Sequence, residues 1–212
     1  MQLIGQYDSP FVRRVAVALK TYGLPYEHRP WSVFGDADRI AAINPLLRVP
    51  TLVMDDGLAV MESAAIVEVL DELVGPERAV LARRGEARRQ SLRLSALAAG
   101  VADKGVALVY ERGFRETALP MWVERCHAQV SGALAMLERE RAGRTSRWLL
   151  DDDLSHADVT VGAVLTFLAE ALAEEIDLSP WPALQAHRAA CEALPVFQEA
   201  YQAFRLSRPA KA

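Results

Sequence analysis

The sequence changes character after Gly75-Pro76, and this change limits the folds that the chain can adopt. Before that point, short apolar runs typical of strands alternate with helical patterns. Beyond it the strand signals stop, and long alanine- and leucine-rich helical patterns follow. We therefore predict two domains, a mixed α/β domain over 1–76 and an all-helical domain over 86–212, with a linker over 77–85 between them.

The first domain is predicted to have the element order β-α-β-α-β-β-α. Its first helix has the clearest boundaries, because Ser9 and Pro10 match an N-cap followed by a first-position proline, and Gly23 supplies a stop signal. One apolar run before an Asp-Asp-Gly turn and another after it indicate a hairpin. The other predicted elements are strands at 2–5 and within 25–30, a helix over 36–44, hairpin strands at 51–54 and 58–61, and a last helix over 62–74.

The second domain is predicted to be a helical bundle. Val161, Leu165 and Leu168 lie on one face of a helix, which indicates an apolar stripe buried inside a bundle. Ser155 and Asp158 have the spacing of a capping box with aspartate in place of glutamate, and we assign them to folding and not to chemistry. The predicted helices span 86–112, 120–141, 155–173, 181–193 and 195–204.

Composition argues against a nucleic-acid partner. The formal net charge is −4 and charged residues make up 25% of the chain, which is typical of a globular protein. Arginines do cluster between Arg78 and Arg93. Pairs such as Arg84 and Arg88 are helical i, i+4 neighbours, however, and no aromatic side chains are interleaved with them. A solvated or subunit-facing helix surface is the favoured interpretation.

Targeting and metal chemistry are not indicated either. The chain has no basic segment followed by a long apolar run at its start, and no apolar stretch reaches about 18 residues, so we expect a cytoplasmic protein with no membrane partner. Cys126 and Cys191 form no C-x-x-C pair, and the four histidines lack H-x-x-x-H spacing. We therefore predict two buried cysteines and no metal site.

Three stretches of the first domain together resemble one family. They are SPFVRRVAVALKTYGLPYE from Ser9, NPLLRVPTL from Asn44 and ESAAI from Glu62. In this order, and with a helical domain after them, they resemble the glutathione transferase superfamily of the kind that uses a serine. The first stretch is most similar to the plant tau-type enzymes and their bacterial relatives. The resemblance implies a thioredoxin-like first domain, glutathione as co-substrate, a helical domain that contributes the site for an electrophile, and a homodimer.

The resemblance also implies how Val49 and Pro50 act. The superfamily keeps a cis peptide bond before the corresponding proline, and the valine backbone pairs with the cysteinyl part of glutathione as an added strand would. From the residues alone, a proline that merely begins a strand is the alternative. Phe11, in the first turn of the predicted helix, is assigned to the same glutathione pocket.

Glu62, Ser63 and Arg48 are the remaining residues of the implied pocket. A helix that begins at Glu62-Ser63 offers free N–H groups and a positive dipole end, so Ser63 is expected to hold the γ-glutamyl carboxylate, with Glu62 near the α-amino group. Simple capping by Ser63 is the competing account. Arg48 matches the cation that relatives place near the glycine end, or it is an ordinary surface cation. The additional lysine of tau-type enzymes in the preceding helical segment is absent here.

Ser9 is the implied catalytic residue, as a hydrogen-bond donor to the glutathione sulfur. A free thiol with a pKa of about 8.5 is roughly 3% thiolate at pH 7, and attack on an electrophile needs the thiolate. Lowering the pKa by two units requires about 2.7 kcal/mol. A hydroxyl bonded to a charged acceptor supplies about 1.5 to 3 kcal/mol, and a helix N-terminus about 0.3 to 1 more. Tyr7 is the rival donor, because other classes use a tyrosine near the end of the first strand.

The predicted function is a glutathione transferase that conjugates glutathione to a small hydrophobic electrophile or reduces a peroxide with it. Isomerisation through transient glutathione addition is a further possibility, although the double-serine-cysteine signature of the maleylacetoacetate type is absent. Tyr110, Phe114 and Trp122 are loose candidates for the lining of the electrophile site. The alternative is a non-catalytic regulator or protein-binding module with the same fold.

Overall fold

The computed structural model describes residues 1–80 and 85–206. Its elements in chain order are β1 (Gln2–Ile4), α1 (Pro10–Tyr22), β2 (Glu27–Arg29), α2 (Ala37–Ala41), β3 (Thr51–Val53), β4 (Ala59–Met61), α3 (Ser63–Val74), α4 (Glu86–Phe114), α5 (Pro120–Ala142), α6 (His156–Ala171), α7 (Pro182–Glu192) and α8 (Pro195–Glu199). They belong to two compact units. The first holds residues 1–80 together with 195–206, and the second holds the described residues up to 194.

The first unit is built on a four-stranded mixed sheet. Its strand order is β2-β1-β3-β4, with β1 parallel to β2 and antiparallel to β3, and with β3 and β4 forming the hairpin. Leu3 in β1 lies opposite His28 in β2 and Leu52 in β3. Strands β1 and β2 are parallel because the α1 crossover connects them. Strands β3 and β4 are antiparallel because a short turn connects them. The predicted element order and the thioredoxin-like fold are confirmed.

Helices α1 and α3 supply the apolar core of this unit, and they contact each other as well as the sheet. Helix α1 is buried around almost its whole circumference, since only Phe11, Lys20 and Thr21 among its residues are not buried. Burial of this kind removes apolar side chains from water on every face of the helix. The fully buried side chains include Leu3, Ile4, Leu19, Leu52, Ile66 and Leu70.

The last helix differs from its prediction. A helix over 195–204 was expected, but α8 ends at Glu199 and the chain is irregular from Tyr201. The reason lies in Arg13 of α1, whose Nη2 donates to the Phe197 carbonyl at 3.0 Å and whose Nε donates to the Ala200 carbonyl at 3.0 Å. The Phe197 carbonyl therefore accepts a hydrogen bond from the Arg13 side chain. The Tyr201 N–H, which would bond to the Phe197 carbonyl in a continued α-helix, donates instead to the Gln198 carbonyl at 3.3 Å.

These contacts place the segment from Pro195 to residue 206 in the first unit, whereas the sequence assigns it to the helical domain. The Arg13 guanidinium also lies 5.4 Å from the ring centroids of Phe197 and Tyr201. Lys20 of α1 pairs with Glu199 of α8 at 2.9 Å. The domain boundaries predicted at 76 and 86 stay a prediction.

The second unit is all-helical, and α6 lies at its centre. Every residue of α6 from His156 to Leu168 is buried, and α6 contacts both α4 and α7. Its N-terminus has the predicted capping box, because Ser155 Oγ accepts from the Asp158 N–H and Asp158 accepts from the Ser155 N–H at 2.9 Å. Asp158 also accepts from the Leu149 N–H at 2.8 Å. The capping-box prediction is confirmed, and its role is structural.

The arginine cluster lies only partly within the described residues. Arg84, which the sequence pairs with Arg88, lies outside them. Arg89 pairs with Glu86 at 2.6 Å and Arg93 pairs with Glu140 at 2.6 Å, so both guanidinium groups are engaged by carboxylates at the surface of this unit. No helix within residues 1–80 and 85–206 combines the length and the apolar composition that a membrane crossing needs.

Candidate active site

Ser9 stands at the N-terminus of α1, where the sequence predicts it. Its backbone is extended, Pro10 follows as the first helical residue, and its Oγ accepts from the Val12 N–H at 3.4 Å. The N-cap prediction is therefore confirmed. A serine hydroxyl that accepts in this way still has its own proton to donate. Capping α1 and donating to a second acceptor are compatible roles for this half-buried hydroxyl.

Gly5 lets the loop that follows α2 approach the first turn of α1. It follows β1 with φ of +124°, and a Cβ at this position would lie 2.5 Å from Val12 Cγ2 and 2.8 Å from Val49 Cβ. Only glycine accommodates both this backbone conformation and this approach. The side chains of Val49 and of Val12, which lies in the first turn of the helix that Ser9 caps, therefore both pack against Gly5. The sequence analysis did not single out Gly5.

Asn44 fixes the shape of the loop that contains Val49. It is 1% exposed, and its Nδ2 donates to the Arg48 carbonyl at 2.9 Å and to Thr51 Oγ1 at 3.0 Å. Its Oδ1 accepts from the Leu46 N–H at 3.0 Å. One buried amide thus satisfies three groups of the loop, which holds the main chain in one conformation. Asn44 is a second site-forming residue that the sequence analysis did not identify.

The peptide bond between Val49 and Pro50 is cis, as the resemblance implies. Pro50 is buried, Val49 is half-buried and Arg48 is exposed. Leu47 has φ of +53°, a conformation uncommon for a residue other than glycine. The loop therefore turns sharply just before the residues that were assigned to glutathione.

Helix α3 begins with Ser63, and Glu62 is its N-cap residue. Glu62 has φ of +67° and ψ of 125°, and its side chain makes no capping hydrogen bond. The conformation is strained for a glutamate, by about 1 to 3 kcal/mol, and such strain is concentrated at functional sites. Ser63 is 4% exposed and does not cap α3, since it is the first helical residue. The N-cap residue of α3 thus supplies no side-chain cap to the N-terminal N–H groups of the helix.

Arg48 and Glu62 form an ion pair across the site, with Arg48 Nη1 3.2 Å from Glu62 Oε1. The two side chains are 52% and 49% exposed. Ion pairs this exposed contribute about 0 to 1 kcal/mol, so a charged ligand could separate the partners at low cost. The pair connects the Val49 loop to the N-terminus of α3.

Arg14 reaches the same helix end from α1. Its Nη1 donates to Ser63 Oγ at 3.4 Å, and only 4% of its surface is exposed. Burial lowers the pKa of Arg14 to about 10, so the guanidinium is still protonated at neutral pH. The sequence analysis did not identify Arg14 as a residue of the site.

The side chain of Tyr7, the rival donor, contacts Tyr26 and His28. Its hydroxyl lies 2.6 Å from the hydroxyl of Tyr26, and its ring stacks on His28 with 3.8 Å between centroids and 4° between planes. Burial and the bond to Tyr7 raise the pKa of Tyr26. Phe11, the other aromatic residue near Ser9, is half-buried in the first turn of α1.

His28 also fixes Gly5, because its Nε2 lies 2.8 Å from the Gly5 carbonyl, which can only accept. Burial first, and the charge of Lys20 second, lower the pKa of His28, although the bond to Gly5 opposes this. A pKa below its unfolded value of about 6.5 means that the unfolded chain binds the proton more readily. The stability contributed by neutral His28 is therefore present above about pH 6.5 and is lost as the pH falls toward its folded-state pKa.

We expect His28→Gln to flatten this pH dependence, since glutamine can still donate to the Gly5 carbonyl and does not titrate. Urea unfolding at about pH 7.5, 6.5 and 5.5 measures the free energy of unfolding of both proteins. The parent protein should lose more stability than the variant over this interval. Parallel pH profiles of the two would contradict the prediction.

The sheet topology, the Val49–Pro50 turn and the helical second unit together define a class. They are the features of a thioredoxin-like glutathione-binding domain joined to a helical domain. Residues 3–78 match the family described as "Glutathione S-transferase, N-terminal domain", and residues 120–190 match "Glutathione S-transferase, C-terminal domain". The chain belongs to the glutathione S-transferase superfamily.

Individual relatives agree with this assignment. The chain is 30% identical over 168 residues to the GST-like protein YibF of Escherichia coli strain K12, with 77% of each chain covered. It is 28% identical over 205 residues to a maleylacetoacetate isomerase of Rattus norvegicus, covering 93% of this chain and 90% of the relative. A glutathione S-transferase from Methylobacterium radiotolerans, solved with glutathione sulfonate, superposes with a TM-score of 0.90 at 26% identity, covering 100% and 99% of the two chains.

Proposed function

We propose that this protein is a glutathione transferase of the serine type, similar to tau-class enzymes, in which Ser9 stabilises the glutathione thiolate. The observation that supports this most directly is the position of Ser9. Its hydroxyl stands at the N-terminus of α1, and the side chains of Val12, in the first turn of that helix, and of Val49 both pack against Gly5. Both the hydroxyl proton and the dipole of α1 favour negative charge at this place.

The bound tripeptide would lie along the cis-proline loop and the start of α3. The Val49 main chain would pair with the cysteinyl residue, as an added strand does. The γ-glutamyl carboxylate would meet Ser63 and the N-terminal N–H groups of α3, which the Glu62 side chain does not cap, while Glu62 would face the α-amino group. Arg48 would turn toward the glycine end, which requires the exposed Arg48–Glu62 pair to separate. Pro50 follows Val49 as a buried residue of this loop, and Phe11 would contribute apolar contact.

Ser9 would act as a hydrogen-bond donor and never as a nucleophile. A thiolate held by one hydroxyl and one helix end gains about 2 to 4 kcal/mol, enough to lower a thiol pKa by about 1.5 to 3 units. No general base is then required at pH 7, because a large part of the bound thiol is already ionised. Tyr7 is a weaker candidate for this role, since its hydroxyl lies within hydrogen-bond distance of Tyr26.

The reaction proposed is attack of the thiolate on a small hydrophobic electrophile, or reduction of a peroxide by it. Tyr110 and Phe114, two of the residues predicted to contact the electrophile, are each 39% exposed, and their ring centroids lie 5.5 Å apart. Isomerisation is the second candidate. The 28% identity to a maleylacetoacetate isomerase over nearly the whole chain favours it. The homodimer implied by the family stays a prediction.

Glutathione binding and turnover can be tested on the full chain. We expect glutathione to raise the unfolding temperature, since a ligand at about 100 times its dissociation constant adds about 2.7 kcal/mol of stability. We also expect thioether formation with an activated aryl halide, or turnover of a hydroperoxide or of a cis-alkene that is conjugated to a carbonyl group. S-methylglutathione is the matched control, because it should bind and not react.

Each result separates the candidate functions. A thermal shift with no turnover on any of the three substrate types would favour the non-catalytic binding module. No shift at millimolar glutathione would overturn the proposed function altogether. Product analysis distinguishes conjugation from isomerisation, because isomerisation returns the glutathione unchanged.

A further inference from the structure

His28 in β2 contacts two residues of the turn that leads from β1 into α1. Its Nε2 lies 2.8 Å from the Gly5 carbonyl oxygen, and its ring stacks on Tyr7 with 3.8 Å between the centroids and 4° between the planes. Gly5 and Tyr7 are the chain neighbours of Gln6. One side chain of β2 therefore holds this turn at two points, one on each side of Gln6.

Gln6, the residue between these two points, is hydrogen-bonded to Ser9. The Ser9 N–H donates to the Gln6 carbonyl at 3.2 Å, and the Ser9 carbonyl accepts from the Arg13 N–H at 2.9 Å. The Ser9 main chain is thus bonded to the turn on one side and to α1 on the other. Because His28 contacts both neighbours of Gln6, the place of the Gln6 carbonyl depends on the contacts of His28.

The two contacts of His28 restrain the turn in different directions. A hydrogen bond from a ring N–H lies close to the plane of the imidazole ring, whereas a stacked ring lies above that plane. The Gly5 contact therefore limits movement along the plane, and the Tyr7 contact limits movement across it. Gly5 is held further by its own N–H, which donates to the Arg29 carbonyl at 2.9 Å. The turn is fixed at both of its ends by β2.

The place of the Ser9 hydroxyl matters for its effect on a thiolate. Hydrogen bonds weaken steeply when the distance or the angle departs from the optimum, and a group that acts on a ligand has to be held within about 0.5 Å of its productive position. Ser9 Oγ also accepts from the Val12 N–H at 3.4 Å. A shift of the turn therefore changes the position of the hydroxyl relative to α1 and to a bound sulfur.

We infer that His28 is a positioning residue for Ser9, and that the acidity of the glutathione thiol depends on it. The inference rests on the proposed function, in which Ser9 donates to the glutathione sulfur. His28 acts through the turn over 5–9 and is not itself the donor. The hydroxyl of Tyr7 has no part in this role, because Tyr7→Phe keeps the ring that stacks on His28.

The thiol pKa of bound glutathione, measured by ultraviolet titration of the complex, tests the inference on the full chain. We expect His28→Ala to raise this pKa by about 0.5 to 1 unit, less than Ser9→Ala, since the hydroxyl is displaced and not removed. The dissociation constant of glutathione should stay within about threefold of the parent value. In the Ser9→Ala background, His28→Ala should raise the pKa no further, because a positioning residue has no effect once the group that it positions is absent.

His28→Phe and His28→Gln separate the two contacts. Phenylalanine keeps a ring that can stack on Tyr7 and has no donor for the Gly5 carbonyl, whereas glutamine keeps a donor and has no ring. Each variant should raise the thiol pKa by less than His28→Ala does. Gly57→Ala is the control for lost stability, because among the described residues no atom lies within 4 Å of a Cβ at Gly57. It should destabilise the unit through its positive φ and leave the thiol pKa unchanged.

The outcomes distinguish this inference from the function on which it rests. If Ser9→Ala raises the thiol pKa and His28→Ala leaves it at the parent value, the inference alone is overturned. It is also overturned if Gly57→Ala raises the pKa as much as His28→Ala, or if His28→Ala has its full effect in the Ser9→Ala background.

Two further results are decisive. If His28→Ala does not fold, His28→Phe and His28→Gln decide, and parental pKa values in both overturn the inference. A parent protein that does not bind glutathione, or whose thiol pKa is unchanged by Ser9→Ala, overturns the proposed role of Ser9 and this inference with it.

Discussion

Ser9→Ala should raise the pKa of bound glutathione by about one to two units and slow conjugation at pH 7 by about three- to twenty-five-fold. The alanine removes a hydrogen bond to a charged acceptor, which contributes about 1.5 to 3 kcal/mol, and each pKa unit corresponds to about 1.36 kcal/mol. The helix dipole of α1 stays in place, so the thiol should still be more acidic than free glutathione. Affinity should change little, because Val49, Ser63 and Glu62 are untouched.

Ultraviolet titration of the thiolate in the enzyme–glutathione complex measures this pKa, and the pH dependence of kcat/KM measures it independently. Tyr7→Phe is the control, because it removes a hydroxyl that lies beside Tyr26 and should leave the thiol pKa unchanged. If Tyr7→Phe raised the thiol pKa and Ser9→Ala did not, the assignment of the donor would be wrong.

Gly5→Ala should destabilise the first unit strongly. An alanine at φ of +124° is strained by about 1 to 3 kcal/mol. Its Cβ would also overlap Val12 Cγ2 at 2.5 Å and Val49 Cβ at 2.8 Å, and overpacking of a core costs a further 1 to 3 kcal/mol or so. The total loss should be about 2 to 6 kcal/mol. Glutathione should bind less tightly as well, since Val49 has to move.

Gly57→Ala separates the two contributions to this loss. Gly57 in the turn between β3 and β4 also has positive φ, at +91°, but a Cβ there would meet no atom within 4 Å. Its substitution should therefore cost the backbone strain alone and leave glutathione affinity unchanged. Urea unfolding of both variants gives the comparison. If Gly5→Ala and Gly57→Ala lowered the free energy of unfolding equally, the close approach of Val49 to Gly5 would be contradicted.

Local patterns were enough to predict the order of the elements, because each depends on residues close together in the chain. The N-cap of α1, the hairpin and the capping box of α6 all follow from side chains within about four positions of one another. The end of α8 could not be predicted in this way. It depends on Arg13, which lies 184 positions from the Phe197 carbonyl that it binds.

The site could be predicted in part for the same reason. Ser9, Val49 and Ser63 stand out by resemblance, since each belongs to a recognisable stretch. Gly5 does not, because its importance arises from two side chains brought to it by the fold. Arg14 did leave a signal. In PFVRRVAVAL, from Pro10 to Leu19, the two arginines are the only polar side chains, so a helix of this composition has no polar face and must bury them.

The attachment of the segment from Pro195 to Arg13 has a consequence for biosynthesis. During translation, the first 80 residues leave the ribosome long before the acceptors of Arg13 exist, and a guanidinium in the nascent α1 stays hydrated until Phe197 and Ala200 arrive. The buried packing of the Arg13 side chain is therefore completed only after the residues of the helical unit have been made.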